Sequence, residues 1–81
     1  MKDLVEYIAK ALVDEPAAVV VVEEPAGEAT IVKLEVAKGD LGKVIGKKGR
    51  TAKAVRTLLG AAALKAGRRA QLEIIEPPLG A

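Results

Sequence analysis

The sequence predicts an α+β domain with the order α-β-β-α-α-β, and three observations carry that reading. Apolar residues recur at helical spacing near the start. A β-branched run and an alternating segment then flank a Pro-Ala-Gly turn. Last, a long alanine-rich helical segment bounded by glycines leads into a closing alternating stretch.

In the first element, Leu4, Ile8 and Leu12, beside Val5 and Ala9, place one apolar stripe against a core. Asp3 stands where it can cap this helix, with Glu6 three residues on in a capping-box arrangement, and Pro16 is expected to stop it. The run Val19 to Val22 is β-branched throughout and reads as a buried strand. Pro25-Ala26-Gly27 supplies turn chemistry for a hairpin. The next strand alternates, with Val32, Leu34 and Val36 on one face and Lys33 and Glu35 on the other. Lys38-Gly39-Asp40 breaks it, and Asp40 is placed to cap a short helix from Leu41 to Ile45. After the loop Gly46 to Gly49, a longer helix spans about Arg50 to Ala66, with Gly67 at its C-terminal stop. A final strand alternates Ala70, Leu72 and Ile74 with Gln71, Glu73 and Ile75 before Pro77-Pro78. One domain is therefore expected over residues 1–76, followed by a short tail, 77–81.

Eighty-one residues support one small core, because a chain of this size buries only about 60 to 65% of its unfolded surface. A hydrophobic content of 51% with 30% charged residues fits a folded domain. No apolar run approaches the roughly 20 residues that span a bilayer, and the start lacks the basic and apolar blocks of a signal peptide. A cytoplasmic location is the expectation. The chain has no His, Cys, Ser, Asn, Phe or Trp, so most nucleophiles and the side chain that titrates near neutrality are missing. No catalytic residue, metal site or cofactor is assigned. Asp40 and Glu35, the nearest approach to a carboxylate metal pair, read as solvated surface.

A net charge of +2 conceals a strong asymmetry. Met1 to Ala37 holds three basic residues against eight acidic ones, whereas Lys38 to Arg69 holds ten basic residues against Asp40 alone. Such segregation marks a binder of polyanions, and a solvated lysine-rich helix is the alternative reading of the charge run taken alone. Within the basic segment lies Gly42-Lys43-Val44-Ile45-Gly46-Lys47-Lys48-Gly49-Arg50. Glycines at 46 and 49 let a ligand backbone come close to the main chain. The unpaired N–H groups at the start of the following helix favour phosphate, and Lys47 and Lys48 add charge at the same place.

A G-x-x-G loop between the two middle helices of an α-β-β-α-α-β chain resembles the bacterial-type, or type II, KH domain. Met1-Lys2-Asp3-Leu4-Val5, the segment Gly42 to Arg50, and Arg56-Thr57 are similar to the small single-KH bacterial RNA-binding proteins of the KhpA/YlqC family. The resemblance covers nearly the whole chain, Met1 to Glu76. It implies a three-stranded sheet with helices packed on one face. It also implies single-stranded RNA held in a narrow groove, with a role as RNA chaperone or post-transcriptional regulator. By position, Gly46, Lys47, Lys48 and Gly49 would clamp the sugar-phosphate backbone, and Lys43, Arg50 and Lys53 would line the approach. Ile45, Leu34 and Val36 are candidates for an aliphatic floor under the bases. Tyr7, the only aromatic residue, cannot make a stacking platform alone.

The long helix carries a second pattern. Ala52, Val55, Leu59, Ala62 and Ala66 form one apolar stripe directed at the sheet. Ala54, Leu58, Ala61 and Leu64 form another that a small core does not need. This second stripe is read as a dimer interface; the competing reading is that the alanines reflect helix propensity alone. The family resemblance implies a homodimer, or a heterodimer with a larger KH-containing protein of the KhpB/Jag type. The alternative to an RNA-binding module is thus a KH-shaped dimerisation adaptor for which RNA contact is secondary.

Overall fold

The computed structural model describes residues 1–75. It contains α1 (Lys2–Leu12), β1 (Val20–Ala26), β2 (Ala29–Glu35), α2 (Leu41–Ile45), α3 (Arg50–Lys65) and β3 (Arg69–Ile74), joined in part by short 3-10 turns. The order α-β-β-α-α-β is as the sequence predicts. Glu76 and the tail 77–81, with the strand-ending Pro77-Pro78, lie outside the described residues.

The sheet has the order β1-β2-β3, with β1 antiparallel and β3 parallel to β2. Parallel pairing of β2 and β3 requires a crossover, and α2 and α3 supply it. One face of the sheet carries Val21, Val32, Leu34 and Leu72, which pack with Val5 and Ala9 of α1, Val44 of α2, and Val55 and Leu59 of α3 in a single core. Alternation along β2 therefore decides burial as expected: Val32, Leu34 and, just beyond the strand, Val36 go inward.

Several local expectations are corrected. No side chain caps α1; Met1 occupies the N-cap, and Glu6 instead accepts a 3.0 Å bond from Lys10 Nζ one turn on. The helix ends at Leu12, and Pro16 opens a 3-10 turn rather than stopping the helix. Of the valine run, only Val21 is buried; Val20 and Val22 are 48% and 45% exposed because β1 is an edge strand and the helices cover one face only. Pro25 lies inside β1, where an edge tolerates its missing N–H, and the hairpin turn is formed by Gly27 and Glu28. On α3 the buried stripe is Ala52, Val55, Leu59 and Ala63, whereas Ala62 and Ala66 face solvent. The C-terminus of α3 closes as a Schellman motif, with Gly67 N–H donating to Leu64 O at 3.0 Å and Arg68 N–H to Ala63 O at 2.7 Å. That pair of bonds fixes Ala63 on the core side of the last turn.

Candidate nucleic-acid interface

The loop between α2 and α3 is built from backbone conformations that ordinary residues avoid. Gly46 has φ 78° and ψ 171°, Lys48 has φ 57° and ψ 25°, and Gly49 has φ 73° and ψ 13°. Gly49 N–H donates to Gly46 O at 3.1 Å, which closes the turn. Lys48 is the one non-glycine residue at positive φ among the described residues, a strained state of the kind that collects at functional sites. Gly46 is demanded twice over. Its φ excludes most side chains, and a Cβ there would stand 2.2 Å from Thr51 Oγ1 and 2.8 Å from Thr51 N. Thr51, which the sequence did not single out, thus forms the wall against which the loop folds.

Gly49 is the N-cap of α3 and offers no side chain to its first turn. Arg50 N–H donates to Lys47 O, but no side chain caps the N–H groups that follow in this 16-residue helix, and Lys47 and Lys48 beside it are both exposed. Arg50 and Lys53 continue the cationic edge and, with Ala54, Thr57 and Leu58, line an open groove along α3. Thr57 Oγ1 donates to Lys53 O at 3.0 Å. Among the described residues, Lys47, Lys48, Arg50 and Lys53 form no ion pair. Arg56 is exposed but does not line this groove.

The expected aliphatic floor is only partly present. Leu34 and Val36 are buried in the core beneath the helices and offer no surface to a base, whereas Ile45, half-buried at the end of α2, adjoins the loop. Lys43 also departs from expectation. Its ammonium lies 2.6 Å from Asp14 Oδ2 and 3.1 Å from Asp40 Oδ1, so it is engaged within the protein. The bond to Asp14, and next that to Asp40, raises its pKa further.

Asp40 is where the structure departs most from the reading of the sequence. It occupies the N-cap position of α2 but makes no side-chain cap bond, and it is buried rather than solvated. Oδ2 accepts the Glu15 N–H at 3.0 Å and Oδ1 accepts from Lys43. Burial works to raise its pKa, but the N–H groups of Glu15 and Asp14 and the Lys43 ammonium outweigh this and hold it below the usual carboxylate value. Asp40 thereby ties α2, and the loop that follows, to the segment after α1.

Ala54, Leu58, Ala61 and Leu64 are all exposed on α3, with Leu58 at 54% and Leu64 at 70%. The apolar stripe and the cationic groove share Ala54 and Leu58, so the two surfaces adjoin. No described helix is long and apolar enough to cross a membrane, and no cluster of potential metal ligands occurs among the described residues.

Residues 2–74 match the family model described as KhpA/KhpB, KH domain. An RNA-binding protein KhpA of Caldanaerobacter subterraneus is 56% identical over 75 residues, covering 93% of this chain and all of the relative. Those of Halalkalibacterium halodurans and Clostridium perfringens are 54% and 53% identical, over 94% and 93% of this chain and again the whole of each relative. Among solved structures, the Era protein of Aquifex aeolicus superposes with a TM-score of 0.58 at 24% identity, over 90% of this chain and 28% of Era, a likeness of fold alone. The α+β architecture, with three helices on one face of a three-stranded sheet, is that of a type II KH domain, and the chain belongs to the KhpA/KhpB KH-domain family.

Proposed function

We propose that this chain binds single-stranded RNA at the Gly46–Gly49 loop, as an RNA chaperone or post-transcriptional regulator without catalytic activity. The observation that carries the reading is the loop itself. Its backbone is held open by Gly46 and Gly49, and the exposed Lys47 and Lys48 flank an uncapped helix N-terminus. Gly46, Lys47, Lys48 and Gly49 hold the sugar-phosphate backbone, Arg50 and Lys53 extend the cationic path, and Ile45 meets a base. The relatives named as RNA-binding proteins support this assignment. Backbone clamping also carries little sequence information, which suits a chaperone acting on many RNAs in the cytoplasm.

The test is fluorescence anisotropy of short labelled single-stranded RNAs over a salt series. Each phosphate contact on a single strand contributes about 0.7 to the salt slope, so Lys47→Asp/Lys48→Asp is expected to reduce the slope by about 1.4 and affinity at least tenfold (roughly) at low salt. Circular dichroism must show both proteins folded. Equal binding by the two would remove the loop from the site.

The exposure of Leu58 and Leu64 beside Ala54 and Ala61 favours a second, compatible reading, in which α3 pairs with another copy or with a KhpB/Jag-type KH protein. Two short grooves joined in this way would bind one RNA more tightly than either alone. Leu58→Asp would bury a charge in that interface and is expected to raise the dimer dissociation constant at least a hundredfold (roughly), read by sedimentation equilibrium. An unchanged sedimentation profile would exclude Leu58 from any self-association surface.

A further inference from the structure

The trio of Lys43, Asp14 and Asp40 is a place where the sequence promises a phosphate ligand and the structure supplies carboxylates. The two carboxylates have different standing. Asp40 is 3% exposed and is also bonded to the Glu15 N–H, so it is a fixed part of the fold. The Asp14 side chain is 78% exposed, and its one hydrogen bond among the described residues is the 2.6 Å contact to Lys43 Nζ. An exposed ion pair of this kind is weak and exchangeable.

Lys43 stands in the last turn of α2, and Gly46 is the C-cap that follows three residues on, a rise of about 4.5 Å along the helix. Its flexible four-carbon stem can carry the ammonium to a phosphate on the loop without backbone movement. Phosphate and the Asp14 carboxylate are both oxyanions, and they would draw on the same donors. Asp40 is the N-cap of α2 and Gly46 its C-cap, so the two carboxylates hold the ammonium at the end of α2 away from the loop, and a phosphate on the loop gains it only when the exposed Asp14 bond is given up.

We infer that Asp14 competes intramolecularly with RNA phosphate for the Lys43 ammonium, and so holds the affinity of the loop below what its lysines would otherwise give. The inference rests on the proposed RNA reading and deepens it. Lys43 is a reserve cation: Asp14 and Asp40 together hold it at the start of α2, and without Asp14 only the longer 3.1 Å contact to Asp40 is left for a phosphate to outcompete. The surface acid then sets how tightly the domain holds RNA, and weak holding is what a protein that must release its RNA requires.

The experiment measures binding of a labelled oligouridylate over a salt series by wild type, Asp14→Asn, Asp14→Asn/Lys43→Gln and Glu28→Gln, each shown to be folded by circular dichroism. Glu28→Gln makes the same charge change beside Gly67 and Arg68, at the end of α3 away from the loop, a helix about 24 Å long. Asp14→Asn is expected to bind about three- to fivefold tighter than wild type at low salt, with a slope steeper by about 0.7. The double variant loses that gain, and Glu28→Gln does not reproduce it. Unchanged or weaker binding by Asp14→Asn overturns the inference while leaving the loop assignment intact. A gain matched by Glu28→Gln, or one that persists without Lys43, overturns it equally. No binding by either wild type or Asp14→Asn removes the RNA reading and this inference together.

Discussion

Gly46→Ala is expected to destabilise the domain by about 2–4 kcal/mol and to disrupt the loop with it. Two independent effects add at this position. The φ of 78° disfavours any residue with a Cβ, and the new methyl would collide with Thr51 Oγ1, Cβ and main-chain N at 2.2, 2.6 and 2.8 Å. The hydroxyl could rotate aside; the main-chain nitrogen, in the first turn of α3, could not. Thr51→Ala in the same chain should therefore recover little of the loss. Urea unfolding followed by circular dichroism measures both variants, and a wild-type midpoint for Gly46→Ala would refute this account of the loop.

Leu59→Ala should be the most damaging core truncation, at about 2–5 kcal/mol. Leu59 is 1% exposed and heads the largest fully buried side chains, the others being Val5 and Val32. The core contains no aromatic residue, since the chain's one aromatic, Tyr7, is exposed. Six of the ten buried residues of the core cluster are valines, whose short, stiff side chains fill a neighbouring cavity poorly, so relaxation is limited. For a chain of this length total stability is about 4–12 kcal/mol, and the loss is a large part of it. A fall in urea midpoint at constant m-value is the expected signature; a shift below about 1 kcal/mol would mean the core repacks freely.

Element order was legible because hydrophobic period changes cleanly along the chain, from helical at Leu4 to Ala9 to alternating at Val32 to Val36, and back again. What escaped was set by partners distant in sequence. The segment after Leu12 leaves the helix where Glu15 N–H meets Asp40, 25 residues away, and Lys43 turns toward Asp14, 29 residues away. Local spacing encodes neither contact. The valine run misled for another reason: four β-branched residues in a row carry no period, so their burial depended on whether a second layer covers the sheet. That the chain turns between α2 and α3 at Gly46 to Gly49 was legible, since glycine spacing is local, but Thr51 as the wall of the turn and the positive φ of Lys48 had no sequence signal.

The edge position of β1 has a consequence for solubility. A strand that begins Val20-Val21-Val22 with one side unpaired is a template on which other chains could assemble into cross-β aggregates. Glu23, Glu24 and Pro25 follow at once. Glu23 Oε1 is engaged by the Lys2 N–H at 2.7 Å, Glu24 pairs with Lys33 at 2.9 Å, and Pro25 offers no donor. These three residues act as gatekeepers, interrupting the ladder of donors and adding charge where an incoming strand would have to lie. Among the described residues the helices leave the outer face of the sheet uncovered, and the residues that complete β1 guard its edge.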